Sequence, residues 1–207
     1  MYLSRLRLNL SSATARRDLA DPYELHRTLA RVYAPDAATP PPRFLWRLEA
    51  GRRTEAAPTV LVQAEAPGRW QILDALDGYT HAIDADKPVD LQRFVQTARR
   101  YRFRLLANAT VTRDGKRLGL RADEALRAWI HRQGARHGFE LLVLDCHAQP
   151  RMRVARRRGT QAVVIDPALF EGVLKATDAE ALRTAVRAGL GHGKAFGLGL
   201  LSLARLR

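Results

Sequence analysis

The sequence predicts an α+β protein made of two tandem βαββαβ units, each a four-stranded antiparallel sheet with two helices on one face. Three observations carry this. Strand-period and helix-period segments follow one another as strand, helix, strand, strand, helix, strand, and that order occurs twice. A break at Ala85–Asp90, around Lys87-Pro88, separates the two runs and sets the units at residues 1–86 and 91–207. Hydrophobic residues make up 46 % of the 207-residue chain, a globular composition. The repeat lies in element order alone, since no residue-level identity links the halves.

Residues 2–10 alternate Tyr2, Leu6, Leu8 and Leu10 with polar partners, the period of a half-buried strand. Asp21-Pro22-Tyr23-Glu24 then starts a helix, with Asp21 as N-cap, Pro22 at the first helical position and Glu24 three residues after the cap. Leu25, Leu29 and Val32 give its inward stripe, and Pro35 ends it. A Pro- and Ala-rich loop follows over Asp36–Pro42. The strand-like runs Phe44–Leu48 and Thr59–Val62 flank a basic turn, Gly51-Arg52-Arg53. A short helix at Trp70–Leu76 and a strand near His81–Ile83 complete the first unit. In the second, Tyr101–Leu106 is a strand, Gly115 lies in a turn before Arg117–Leu120, and residues 122–136 form a helix with Leu126, Trp129 and Ile130 inward. Phe139–Asp145 and Gln161–Ile165 are the next strands, with an Arg-rich segment between them. Asp178 caps a helix that Gly189 stops, and Leu200–Leu206 is the last strand.

Charge narrows the function. Lys plus Arg total 35 against 21 Asp plus Glu, a net charge of +14, and only four of the bases are lysine. A guanidinium matches phosphate and base edges with a planar fork of donors and stacks on bases. Such an excess points to a polyanionic partner, nucleic acid above all. No apolar run reaches the roughly 18 residues of a membrane span, and the N-terminus alternates instead of forming a signal-peptide core. A cytoplasmic location is expected. The single cysteine, Cys146, excludes an internal disulfide, and no cluster has zinc-ligand spacing. No metal or small-molecule cofactor is expected. Cys146 and His147 are neighbours on a strand and point to opposite faces, so they do not form a nucleophile–base pair.

Two constellations carry chemistry. With Leu25, Leu29 and Val32 inward, Tyr23, His26 and Arg27 share the opposite face of their helix, and Arg31 continues it one turn later. An imidazole, a phenol and two fixed cations form a set able to cut a phosphodiester by proton transfer and charge stabilisation, although the same pattern fits an ordinary amphipathic helix. The second is Gly189-Leu190-Gly191-His192-Gly193-Lys194-Ala195-Phe196-Gly197-Leu198-Gly199, which holds five of the 14 glycines. Ala188 and Ala195 stand where a P-loop needs Gly and Ser or Thr, and the dinucleotide spacing also fails. What remains is backbone able to approach a ligand closely, offering amides and Lys194 to phosphate.

The helix Asp21–Arg27 after a first strand, the preceding Ala15-Arg16-Arg17-Asp18-Leu19, the strand Phe44–Leu48 and the C-terminal glycine loop running into a final strand together resemble the CasE family, the CRISPR repeat-RNA endoribonucleases of the Cascade complex. The resemblance spans the whole chain. It implies two ferredoxin-like (RRM-like) domains and metal-independent cleavage of CRISPR precursor RNA within its repeats. The RNA's own 2′-hydroxyl would be the nucleophile, leaving a cyclic phosphate. On the matching helix His26 would be the general acid or base and Tyr23 its assistant. Arg27 or Arg31, with Lys194, would offset charge. The run Arg151-Met152-Arg153-Val154-Ala155-Arg156-Arg157-Arg158-Gly159 resembles the family's basic hairpin, so Arg151, Arg153, Arg156, Arg157 and Arg158 are expected to hold the RNA stem, together with Gly191, Gly193, Gly197 and Gly199. Expected partners are the repeat hairpin and the other Cascade subunits. A non-catalytic RNA-binding subunit of the same superfamily is the alternative. A single-strand binder reading bases on open sheet faces is disfavoured by an aromatic content of 7 %.

Overall fold

Ser4, Leu6 and Leu8 are buried while Arg5 and Arg7 between them are exposed, so the period-2 reading holds over residues 4–8. Leu10, also expected inward, lies beyond the strand and is 47 % exposed. The computed structural model describes every residue except 35, 37, 50–56, 155–162 and 207. Its chain divides into two compact units, Met1–Val89 with Ala195–Gly197, and Asp90–Lys194 with Leu198–Arg207.

The first unit runs β1 (Tyr2–Leu8), α1 (Ala13–Ala20), α2 (Pro22–Tyr33), β2 (Phe44–Glu49), β3 (Thr59–Ala64), a 3₁₀ helix (Trp70–Ala75) and β4 (Thr80–Pro88). The sheet is antiparallel with order β2-β3-β1-β4, so the first and third strands are central. Leu25, Leu29 and Val32 of α2 pack on Leu6, Leu8, Trp46, Val60 and Val62 in one core. Helix α1 is absent from the sequence reading because its buried positions are Ala15 and Asp18, which make no apolar stripe. Asp18 is fully buried, where it accepts hydrogen bonds from the Arg17 guanidinium (2.7 Å) and the Tyr79 hydroxyl (2.8 Å). Pro22 lacks the amide needed to prolong α1, so Asp21 ends one helix and caps the next, its side chain accepting from the Tyr23 amide at 2.9 Å. The helix expected at Trp70–Leu76 is a 3₁₀ helix, and β4 extends well beyond His81–Ile83 through a bulge. At that bulge Asp86 adopts φ +50° and accepts from the Trp70 indole nitrogen (2.9 Å) and the Gly68 amide (3.2 Å).

The second unit contains α3 (Leu91–Phe94), β5 (Arg100–Asn108), β6 (Thr110–Arg113), β7 (Lys116–Gly119), α4 (Asp123–His137), β8 (Phe139–Ala148), β9 (Met152–Val154), β10 (Val163–Ile165), β11 (Pro167–Ala176), α5 (Ala179–Ala188) and β12 (Leu201–Arg205). Its sheet has the equivalent order, β12-β5-β11-β8. The strand expected at Gln161–Ile165 is not part of this sheet. Among the described residues Val163–Ile165 pairs with β9 in a separate two-stranded ribbon, and the third sheet strand is β11. Asp166 alone separates the two strands, β11 starting at Pro167, and Gly172 interrupts the apolar alternation of β11. That glycine lies against β8 so closely that a Cβ would collide with the Val143 carbonyl oxygen. The turn Gly51-Arg52-Arg53, Pro35 and Arg156–Arg158 lie outside the described residues. No helix among the described residues is long and apolar enough to cross a membrane.

Candidate active site

Helix α2 carries Tyr23, His26, Arg27 and Arg31, but the structure places them in unequal settings. His26 is half-buried, not on the solvated face. Its ring stacks on Phe44 of β2, with centroids 4.9 Å apart and planes at 17°. Tyr33 lies two helical turns beyond His26, a spacing that returns to within about 20° of the same azimuth. It stacks on Phe44 as well, at 5.1 Å, and meets Trp70 edge-on at 5.8 Å. The helix therefore lays two rings on one phenyl group supplied by the sheet. His26 Nδ1 is buried with no hydrogen-bond partner among the described residues. Burial pushes the imidazole below its ordinary 6.5. The same burial favours the uncharged ring in the free protein.

Tyr23 is half-buried in the first turn, three residues from His26. Arg27 is exposed but committed to Glu24 at 2.8 Å. Arg31 is exposed in the last turn and has no ion-pair partner among the described residues. The two arginines that sequence spacing left equivalent are thus distinct.

In the second unit Arg151 is exposed yet donates to Asp166 at 2.8 Å, and Arg121 donates to the same oxygen at 3.0 Å. Arg153 is exposed on β9, opposite Val164. Gly191, Gly193 and Gly199 have φ of +79°, +85° and +92°, and Lys194 is half-buried at the start of a short 3₁₀ turn, Lys194–Phe196. Gly197 has a packing reason of its own. It belongs with the first unit, and a Cβ there would lie 2.7 Å from the Trp46 ring. Part of the glycine richness therefore serves close packing. Cys146 donates to Asp123 at 3.2 Å, and burial pushes its thiol up to about 11, the state of an inert cysteine. The sequence reading missed Phe44 as the surface under His26, because Phe44 and Trp46 at alternate positions read simply as the inward face of a strand.

A model of the CRISPR-associated protein family matches residues 1–205. The chain belongs to that family. Among its relatives, the CRISPR-associated endoribonuclease Cse3 of Thermus thermophilus is 36 % identical, over 99 % of this chain and all of the relative. The CRISPR system Cascade subunit CasE of Escherichia coli is 29 % identical over the full length of both. A solved structure of the endoribonuclease Cse3 bound to 19-nucleotide RNA superposes with a TM-score of 0.88 at 38 % identity, covering 99 % of this chain and 100 % of that one. The paired ferredoxin-like architecture of this CRISPR-associated chain is that of these relatives.

Proposed function

We propose that the chain is an endoribonuclease that cleaves CRISPR precursor RNA within its repeats and stays on the repeat hairpin as a subunit of a Cascade complex. The observation that carries this is the setting of His26. An imidazole stacked on Phe44, with Tyr23 one turn away, stands in a chain that matches an RNA-cleaving relative from end to end. The reaction we assign is attack of the upstream 2′-oxygen on the scissile phosphorus. The new O–P bond closes a 2′,3′-cyclic phosphate as the P–O5′ bond breaks. The 2′-hydroxyl loses its proton and the departing 5′-oxygen gains one. His26 Nε2 handles one of these transfers and Tyr23 assists. The nucleophile is already tethered beside the phosphorus, so the protein aligns it and manages protons.

Neither arginine trades a proton, because a guanidinium stays protonated. Arg31 is the better candidate for offsetting phosphorane charge, since Arg27 is held by Glu24. Arg153 and the arginines at 156–158, with Lys194 and the glycine loop, are assigned to the RNA backbone. Arg151, tied to Asp166, helps to place that ribbon.

The test uses the organism's own repeat hairpin in EDTA. Cleavage should proceed, leave a cyclic phosphate, and stop when a single 2′-deoxy sugar is placed immediately upstream of the scissile phosphate, with hairpin binding retained. His26→Ala should slow cleavage by about 100-fold or more at unchanged affinity. Efficient cutting of the deoxy substrate would replace this mechanism with a water-activating one. Tight binding with no cleavage by the wild-type chain would make it a binding subunit only.

A further inference from the structure

The hairpin β6–β7 has no part in the reaction assigned to α2. It carries Arg113, Lys116 and Arg117, all exposed, and none of the three forms an ion pair among the described residues. Its turn is two residues long, with Asp114 at φ +48° and Gly115 at φ +72°, the backbone of a tight hairpin turn that fixes the register. That register sets Arg113 directly opposite Lys116. Like charges facing each other across a ladder destabilise a hairpin, and among the described residues no carboxylate pairs with them to offset the cost. An arm of fixed register holding unneutralised cations side by side is built for an anion supplied from outside.

The base of the arm is locked to the basic ribbon β9–β10. Asp166, between β10 and β11, accepts from Arg121 just beyond β7 and from Arg151 just before β9. Arg121 also donates to the Gln149 carbonyl at 3.1 Å. Gly119, the last residue of β7, packs on this carboxylate so closely that a Cβ would be 2.6 Å from Asp166 Oδ2. Arg117 and Lys194 both act, after burial, to push the His192 imidazole down, so the arm's field also reaches the glycine loop. A protein partner would call for an apolar centre, whereas Leu118 is the sole exposed large hydrophobic residue of this hairpin.

We propose that the β6–β7 hairpin is a second phosphate-binding arm for the repeat RNA, held in fixed geometry beside the β9–β10 ribbon by Asp166, with Arg113, Lys116 and Arg117 as its contacts. This rests on the reading that the chain binds repeat RNA.

The test measures binding of a repeat hairpin with a 2′-deoxy sugar at the scissile position across a salt titration, using the full chain. For each phosphate contact removed, the slope of log affinity against log salt falls by about 0.9. The triple variant Arg113→Gln/Lys116→Gln/Arg117→Gln should lose about 2 to 3 from that slope and bind at least about tenfold more weakly in dilute salt. The charge-conserving pair Arg113→Lys/Arg117→Lys should keep the wild-type slope, which separates charge from folding. A steep wild-type slope left unchanged by the triple substitution would overturn the arm and leave the RNA reading intact. Unchanged RNA binding combined with failure to join the other subunits would reassign the arm to a protein neighbour. A wild-type chain with no salt-dependent affinity for repeat RNA would sink the functional reading itself.

Discussion

Replacing Phe44 by leucine keeps an apolar side chain in the core but removes the flat face on which the His26 ring lies. Misplacing a proton-transfer group by a fraction of its reach costs rate and leaves substrate affinity alone, so kcat for repeat cleavage should fall by about 10- to 100-fold with hairpin affinity held. Phe44→Tyr, which restores the ring, should recover most of that loss. Equal losses for both variants, or a loss in affinity, would show that Phe44 serves packing only. The depressed pKa of His26 gives a second expectation. Burial alone lowers it in the free protein, whereas a bound RNA phosphate favours the protonated ring. The His26 limb in the pH profile of kcat/KM, which reports the free enzyme, should therefore lie below 6.5, and the same limb in kcat should lie higher. Coincident limbs would argue against phosphate near Nε2. The spacing of Tyr23 and His26 on one helix is legible in the sequence. The stack under His26 is not, because it joins an i, i+7 pair on a helix to one position of a strand.

At the scale of elements, the readable ones carry local chemistry. Helix α2 follows from Asp21, Pro22 and its leucine stripe, and β1 from strict alternation. Truncating the cap with Asp21→Ala should cost about 1 kcal/mol in a denaturant titration, because the Tyr23 amide loses its acceptor. A loss near zero would mean that tertiary packing alone sets the start of α2. The elements that escape the sequence are those whose buried positions are not hydrophobic or whose pattern a glycine interrupts. Helix α1 hides behind Asp18, whose burial is intelligible only with Tyr79 from a loop far along the chain. Strand β11 hides behind Gly172, whose necessity comes from the backbone of β8. Strand β10 reads as part of the sheet because Val163–Ile165 has the composition of a core strand, while the structure leaves Val163 and Val164 exposed.

For the molecule as a whole, three histidines shift in one direction. His26, His137 and His192 are all pushed below 6.5, in each case chiefly by burial. Between those lowered values and 6.5 the unfolded chain binds more protons than the folded one, so stability is fully present above this window and is lost as pH falls through it. Thermal unfolding should therefore move to lower temperature on acidification from pH 7 through that window. The His26→Ala variant should show a shallower decline. A melting temperature flat across the window would mean that none of the three is shielded from water in solution.

The Gly197–Trp46 contact bears on the order in which the protein is made. Residues 195–197 belong to the first unit, yet a ribosome delivers them only after nearly all of the second. Until then the Trp46 ring lacks its final cover. The N-terminal unit can collapse early around α2, but its last cross-chain closure must wait, and a long closure of this kind is slow. In refolding from denaturant, burial of Trp46 should accordingly lag behind the bulk of helix formation. A chain stopped before residue 195 should leave that indole more exposed than it is in the full chain.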